Sequence, residues 1–142
     1  MQTLLMKTDG EMKSGMTDKA LLIVRLAAGF IFVLHGYGKL TGNPSLEMFS
    51  GMLAHMGVPA SMFFAWVVAL VEFLGGIGLI LGLFTRPAGI LLAIDMLVAM
   101  TMAKHLAFPA ADPDLALFAI SVALALTGAG RWSVAAMMMK KK

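Results

Sequence analysis

Arg25, Glu72 and Asp95 each stand inside a long apolar stretch of this chain. A charge in hydrocarbon costs at least about 2.5–3.5 kcal/mol on insertion scales, so such residues are rare, paired and functional by default. One arginine cannot neutralise two carboxylates. Either one carboxyl holds a proton, or Lys39 or a ligand supplies the missing charge. Glu72, beside Gly75 and Gly76, is the candidate for that proton, with His35 as its partner. A protonatable glutamate next to a histidine is a site that could handle the protons of a quinone.

Helical spacing shows where these groups point. Arg25, Gly29, Phe32, Gly36 and Lys39 fall on one face, with His35 at its edge. Ala65, Glu72, Gly76 and Leu79 share a second face, and Ala88, Asp95, Ala99 and Met102 a third. Small residues let membrane helices approach closely, so these faces should meet inside a bundle. Counted from aligned helix ends, Arg25 lies roughly 8 Å deep, Asp95 roughly 12 Å, Glu72 roughly 16 Å and His35 roughly 22 Å. The expectation is an Arg25–Asp95–Glu72 cluster with His35 and Lys39 above it. Arg25, Lys39 and Asp95 would bind the ligand, and Glu72 and His35 would move protons.

A plainer reading stands beside this one. Buried ion pairs often only fix helix register. Lys39 and Lys104, at helix ends, can snorkel to the membrane surface. His35, His55 and His105 show no HxxxH or HExxH spacing, so no metal site is expected, and nothing calls for haem. Gly75-Gly76-Ile77-Gly78 lies within an apolar span with no strand before it, which makes it a packing surface and not a nucleotide loop.

The elements that must hold these residues are long apolar runs. They cover about Ala20–Leu40, Met62–Leu83, Pro87–His105 and Asp114–Ala129. The last is short against the roughly 20 residues of a crossing. Lipid offers no partners for backbone groups, and these runs are far too long for strands, so all four are helices. Between the first two, Leu46, Met48, Phe49, Met52, Leu53 and Met56 recur at helical spacing. That predicts a short amphipathic helix in the first outer loop. The fold class expected is an all-α integral membrane protein with a four-helix bundle over residues 20–133. Residues 1–19 are expected to form a disordered or surface-bound leader, with Met12 or Met16 as an alternative start and no signal peptide. Residues 134–142 form a basic tail.

Composition agrees. Hydrophobic residues make up 60% of the 142 and charged residues 13%. Mean hydropathy is +0.89. Soluble domains carry roughly 25% charged residues, so that class is excluded. There is no cysteine, which removes disulfides and thiolate relays. The 14 methionines are flexible apolar packers. Basic residues near the ends and at Arg86 and Arg131 favour both termini in the cytoplasm of a multi-pass protein of the cytoplasmic membrane. No aromatic–basic interleaving supports nucleic-acid binding.

Three segments carry a resemblance. They are Arg25-Leu26 with Phe32-Val33-Leu34-His35-Gly36-Tyr37-Gly38-Lys39-Leu40; Val71-Glu72-Phe73-Leu74-Gly75-Gly76 running to Leu81-Gly82-Leu83-Phe84-Thr85-Arg86; and Gly128-Ala129-Gly130-Arg131-Trp132-Ser133. In this order they resemble the DoxX family of small four-helix bacterial and archaeal membrane proteins. The resemblance implies a four-helix bundle in the cytoplasmic membrane and an association with redox chemistry. One branch resembles a subunit of thiosulfate:quinone oxidoreductase, and others look like membrane partners of oxidative-stress or thiol-handling enzymes. This chain lacks the cysteine pair of the thiol branch. Val134 and Ala135 stand where an acidic residue often follows the Gly-x-Gly-Arg motif.

The leading functional expectation is an accessory or quinone-interacting membrane subunit of a redox complex, itself catalytic or not. A purely structural subunit is the alternative. A small proton-coupled carrier ranks below both, because one bundle of this size would have to oligomerise for alternating access. The expected partners are the lipid bilayer and either other subunits or further copies of the chain.

Overall fold

A computed structural model describes residues 1–141, and among them it is helical with no strand. The elements are α1 (Gln2–Thr41), α2 (Leu46–His55), α3 (Ser61–Leu81), α4 (Thr85–Val98), α5 (Asp112–Thr127) and α6 (Val134–Met139). A π-helical turn, Ala99–Ala103, extends α4. Among the described residues three helices are long and apolar enough to cross a membrane: α1, α3, and α4 with its π turn. The fourth, α5, has 16 residues, fewer than the 19 of α4 with its π turn, as its sequence suggests.

Local chemistry sets the ends. Gly42 and Gly82 stop α1 and α3 in the left-handed conformation, at φ 102° and 70°. A residue without Cβ adopts that backbone without strain. Ser45 caps α2 by accepting from the Met48 N–H at 3.2 Å. Asp112, Pro113 and Asp114 fill the first turn of α5, where proline lacks only an N–H that would be unpaired anyway.

Helix α1 packs along α3, and α4 along α5, with α3 and α4 joining the two pairs. Glycines make both crossings. A Cβ on Gly29 would lie 2.7 Å from the Gly76 carbonyl oxygen, and one on Gly76 would lie 2.7 Å from the Gly29 carbonyl oxygen and the Val33 nitrogen. Gly89 brings α4 against α5, 2.7 Å from the Ser121 carbonyl oxygen by the same measure. Phe32, Leu79, Leu92 and Leu124 fill the centre completely. Leu46 and Leu53 of α2 pack on Ala65 and Ala69 of α3, and Ser50 and Ser61 join these helices by a 3.0 Å hydroxyl contact.

Large apolar side chains such as Ile23, Phe30, Leu34, Leu74, Ile90 and Leu126 face outward. In water, that much exposed hydrocarbon would drive aggregation, whereas a bilayer solvates it.

Two expectations change here. Residues 2–19, expected as a disordered or surface-bound leader, are not disordered but form the first half of α1, and all of residues 1–13 are exposed. Leu4, Leu5, Met6, Lys7, Glu11, Met12 and Lys13 all favour helix, and extending an existing helix avoids the cost of nucleation. The tail also holds one element that was not foreseen. Ser133 caps α6 by accepting from the Ala136 N–H at 3.1 Å.

Candidate functional site

The two predicted faces of α1 and α3 are where the spacing put them. Arg25, Gly29, Phe32 and Gly36 are buried on α1, and Ala65, Glu72, Gly76 and Leu79 on α3. The face of α4 is turned by about one step. Its buried residues are Ala88, Gly89, Leu92, Ala93 and Met96, with Asp95 half-buried at the edge and Met102 exposed. Gly89, the smallest residue of the helix, decides this rotation by seating on α5.

The polar groups form two sites, not one. Roughly 21 Å of helix rise separates Arg25 from Lys39 along α1. Because the glycine crossing sets Gly36 against Ala69 and Phe73, Glu72 lies level with the Lys39 end. The expected Arg25–Asp95–Glu72 cluster therefore does not form. Depths counted from aligned helix ends misjudged the register of the α1–α3 crossing.

At the α2 end, Lys39 Nζ forms an ion pair with Glu72 Oε2, both nearly withdrawn from the surface. Lys39 does not snorkel away. Its ammonium also lies 5.1 Å from the centroid of the Phe49 ring on α2, a cation–π contact that roofs the pair. The Asp95 carboxyl lies near Glu72, with Lys39 and Asp114 in the same electrostatic neighbourhood. Asp114, at the start of α5, pairs with Lys104 at 2.7 Å. Three carboxyls and two ammoniums thus run across the bundle. Lys104 and Asp114 were missed as site members. Their signal was a pair of opposite charges closing one span and opening the next.

Asp95 differs from its neighbours. Its Oδ2 is buried and accepts no hydrogen bond. Asp95 also lines a cleft of about 330 Å³ between α2, α3 and α4, whose other walls include Leu53, Phe64, Val67, Leu91 and Met102. Among the described residues no other charged residue lines this cleft.

His35 does not join the site. It is exposed on the outer face of α1, as His55 and His105 are exposed on their own segments. The edge position that suggested a shared face turns its ring to the surroundings of the bundle, away from Glu72.

At the opposite end, Arg25 is 1% exposed. Its Nη1 donates to the Ala129 carbonyl at 2.5 Å and its Nη2 to the Trp132 carbonyl at 2.8 Å. Gly82 leaves room for the guanidinium, since a Cβ there would come within 2.6 Å of Nη1. Asp18 holds the same loop, accepting from the Arg131 N–H at 3.0 Å. A planar fork can bond two carbonyls at once, and an ammonium on a flexible stem cannot match that geometry. Arg25→Lys is therefore expected to loosen residues 128–133 and cost about 1.5–3 kcal/mol, the worth of a charged hydrogen bond. Hydrogen exchange at Ala129–Ser133 checks this. Unchanged protection there would remove the clasp.

Comparison with known proteins fits this architecture. The DoxX family model matches residues 20–105, which run from the buried half of α1 through α3 and α4 to just past the π turn. A Bacillus subtilis protein named "Putative oxidoreductase CatD" is 36% identical over 109 residues, covering 75% of this chain and 78% of its own. "Uncharacterized membrane protein Rv3486" of Mycobacterium tuberculosis is 30% identical, covering 86% and 83%. "Inner membrane protein YqjF" of Escherichia coli is 29% identical, covering 87% and 95%. No solved structure matches the chain significantly. The family model spans the segments that carry both the glycine crossing and the Lys39–Glu72 pair, and the chain belongs to the DoxX family of membrane proteins.

Proposed function

We propose that this protein is a quinone-interacting accessory subunit of a membrane redox complex, with both termini in the cytoplasm. The observation that supports the reading is Asp95 on the wall of an otherwise apolar cleft, a half-buried carboxyl with one oxygen that accepts no hydrogen bond. Small-molecule sites are mostly apolar, of about 300–1,000 Å³, with a few placed polar groups. A quinone needs that combination: an apolar seat for its ring and tail, and a hydrogen-bonding group at a carbonyl. Neighbouring carboxyls can share one proton, and in this reading Asp95 does so with Glu72. Reduction of a quinone to a quinol takes up two electrons and two protons. The electrons come from the partner subunit, and the carboxyl pair relays protons one at a time from the Lys39 side. Asp95 takes the place that His35 held in the sequence reading. A relative named as an oxidoreductase agrees with this role.

Asp95→Asn is the discriminating variant, because Asp95 is in no ion pair among the described residues. It keeps the size and removes the shared proton. Quinone retained by the purified protein in nanodiscs, read by native mass spectrometry with a visible spectrum, is expected to fall at least about tenfold. Proton-coupled turnover with the partner should fall by about 10²–10⁴, the worth of a placed acid–base group. Val67→Trp, which fills the cleft, should abolish retention while Asp95 stays. Equal quinone content in the wild type and both variants would reject the site.

A structural subunit is the second reading, favoured by the ion pairs and the Arg25 clasp, each of which joins separate segments of the chain. It gives unchanged turnover for Asp95→Asn and recovery of partner chains without quinone.

A further inference from the structure

The Arg25 end holds a second cavity, of about 600 Å³, remote from the carboxyl cluster. Three cationic residues line it, Arg25, Arg131 and Lys140, and Leu22, Trp132 and Met137 form apolar walls. We propose that this cavity binds a phosphate-type anion, carried on the headgroup of an anionic lipid.

The argument starts from Arg25. Its side chain is 1% exposed, and among the described residues it hydrogen-bonds to two backbone carbonyls. Carbonyls donate no negative charge. Among the described residues no carboxylate pairs with this guanidinium, and its Nε has no hydrogen-bond partner. A buried cation without a counter-charge is strongly unfavourable in a membrane protein. An anion in the cavity supplies the missing charge.

The surroundings narrow the ligand. Arg131 forms an exposed ion pair with Asp18, at 3.6 Å from its Nε, and its side chain is 75% exposed. Asp18 does not line the cavity, so three cationic residues line the space with no acid among them. Guanidinium groups match the oxygens of a phosphate in their spacing. The apolar walls and Trp132 suit an acyl chain and the interfacial depth at which tryptophan settles. Basic cavities between helices on the cytoplasmic side hold anionic headgroups by the same electrostatics.

The test uses the full chain in nanodiscs of phosphatidylcholine, with and without phosphatidylglycerol, read by native mass spectrometry and thermal melting. The wild type is expected to retain phosphatidylglycerol preferentially and to melt higher with it. The double variant Arg131→Gln with Lys140→Gln should lose that preference by about tenfold or more. It leaves Arg25 and its two carbonyl bonds in place, so the fold survives. In a second arm, inorganic phosphate is added to the phosphatidylcholine sample. A rise in melting temperature with phosphate, absent from the double variant, supports the same site with a soluble occupant. No preference and no phosphate effect in the wild type, or full preference in the double variant, overturns the proposal.

Discussion

Lys39→Ala will destabilise the bundle by about 3–5 kcal/mol, more than any other single truncation in the polar cluster. The reason is what remains. Glu72 is buried against α1 with Lys39 as its ion-pair partner, and removing the lysine leaves a carboxyl beside the Asp95 carboxyl with no cation in contact. The change also strips the cation from the Phe49 ring and so detaches α2 from the cluster. Unfolding in mixed micelles reads the loss directly. The double variant Lys39→Met with Glu72→Leu separates two causes. If the cost is the orphaned acid, the double variant is more stable than either single change, as apolar replacement of a buried pair often is. A loss below about 1 kcal/mol for Lys39→Ala, the value of an exposed pair, would show that the pair sits in water.

Gly76→Val will abolish the close crossing of α1 and α3. The first added carbon meets the Gly29 carbonyl and the Val33 nitrogen at 2.7 Å, and these are backbone atoms of a helix that cannot turn aside. Overpacking a core costs about 1–3 kcal/mol when side chains can yield, and more when they cannot. The helices must move apart, and the Lys39–Glu72 pair, on the same two faces, opens with them. Gly75→Ala beside it is the control. Its Cβ meets only the flexible Leu92 side chain, at 3.2 Å and beyond, so it is tolerated. Cross-linking between cysteines placed at Val33 and Ile80, with melting temperature measured alongside, reports both outcomes. Equal yields in the two variants would mean that the glycine crossing is not what sets the distance.

How much of this was legible in the sequence follows from range. Faces of single helices were readable, because Arg25–Gly29–Phe32–Gly36 and Ala65–Glu72–Gly76–Leu79 depend only on the 3.6-residue period. The order of helices and the amphipathic α2 were readable for the same reason. Register between helices was not. It depends on which glycine meets which carbonyl, and a shift of a few residues moved Arg25 from Glu72 to the Ala129–Trp132 loop. The Lys39–Glu72 pair needed the correct register too, and a lysine at a helix end reads equally well as a snorkelling one. His35 failed for a finer reason. A residue at the edge of a stripe is turned in or out by its neighbour's shape, and Gly36, not His35, took the contact with α3. The π turn at Ala99–Ala103 left no compositional mark that separates it from ordinary helix.

The continuity of α1 has a mechanical consequence. Its first half, from Gln2 to Lys19, projects roughly 27 Å beyond the start of its apolar half without a break. Such a rod behaves as a lever whose fulcrum is the glycine crossing with α3. A slight tilt at that crossing becomes a wide sweep of the free end. Whatever docks on the projecting arm is therefore linked by a stiff shaft to the helix that carries Lys39.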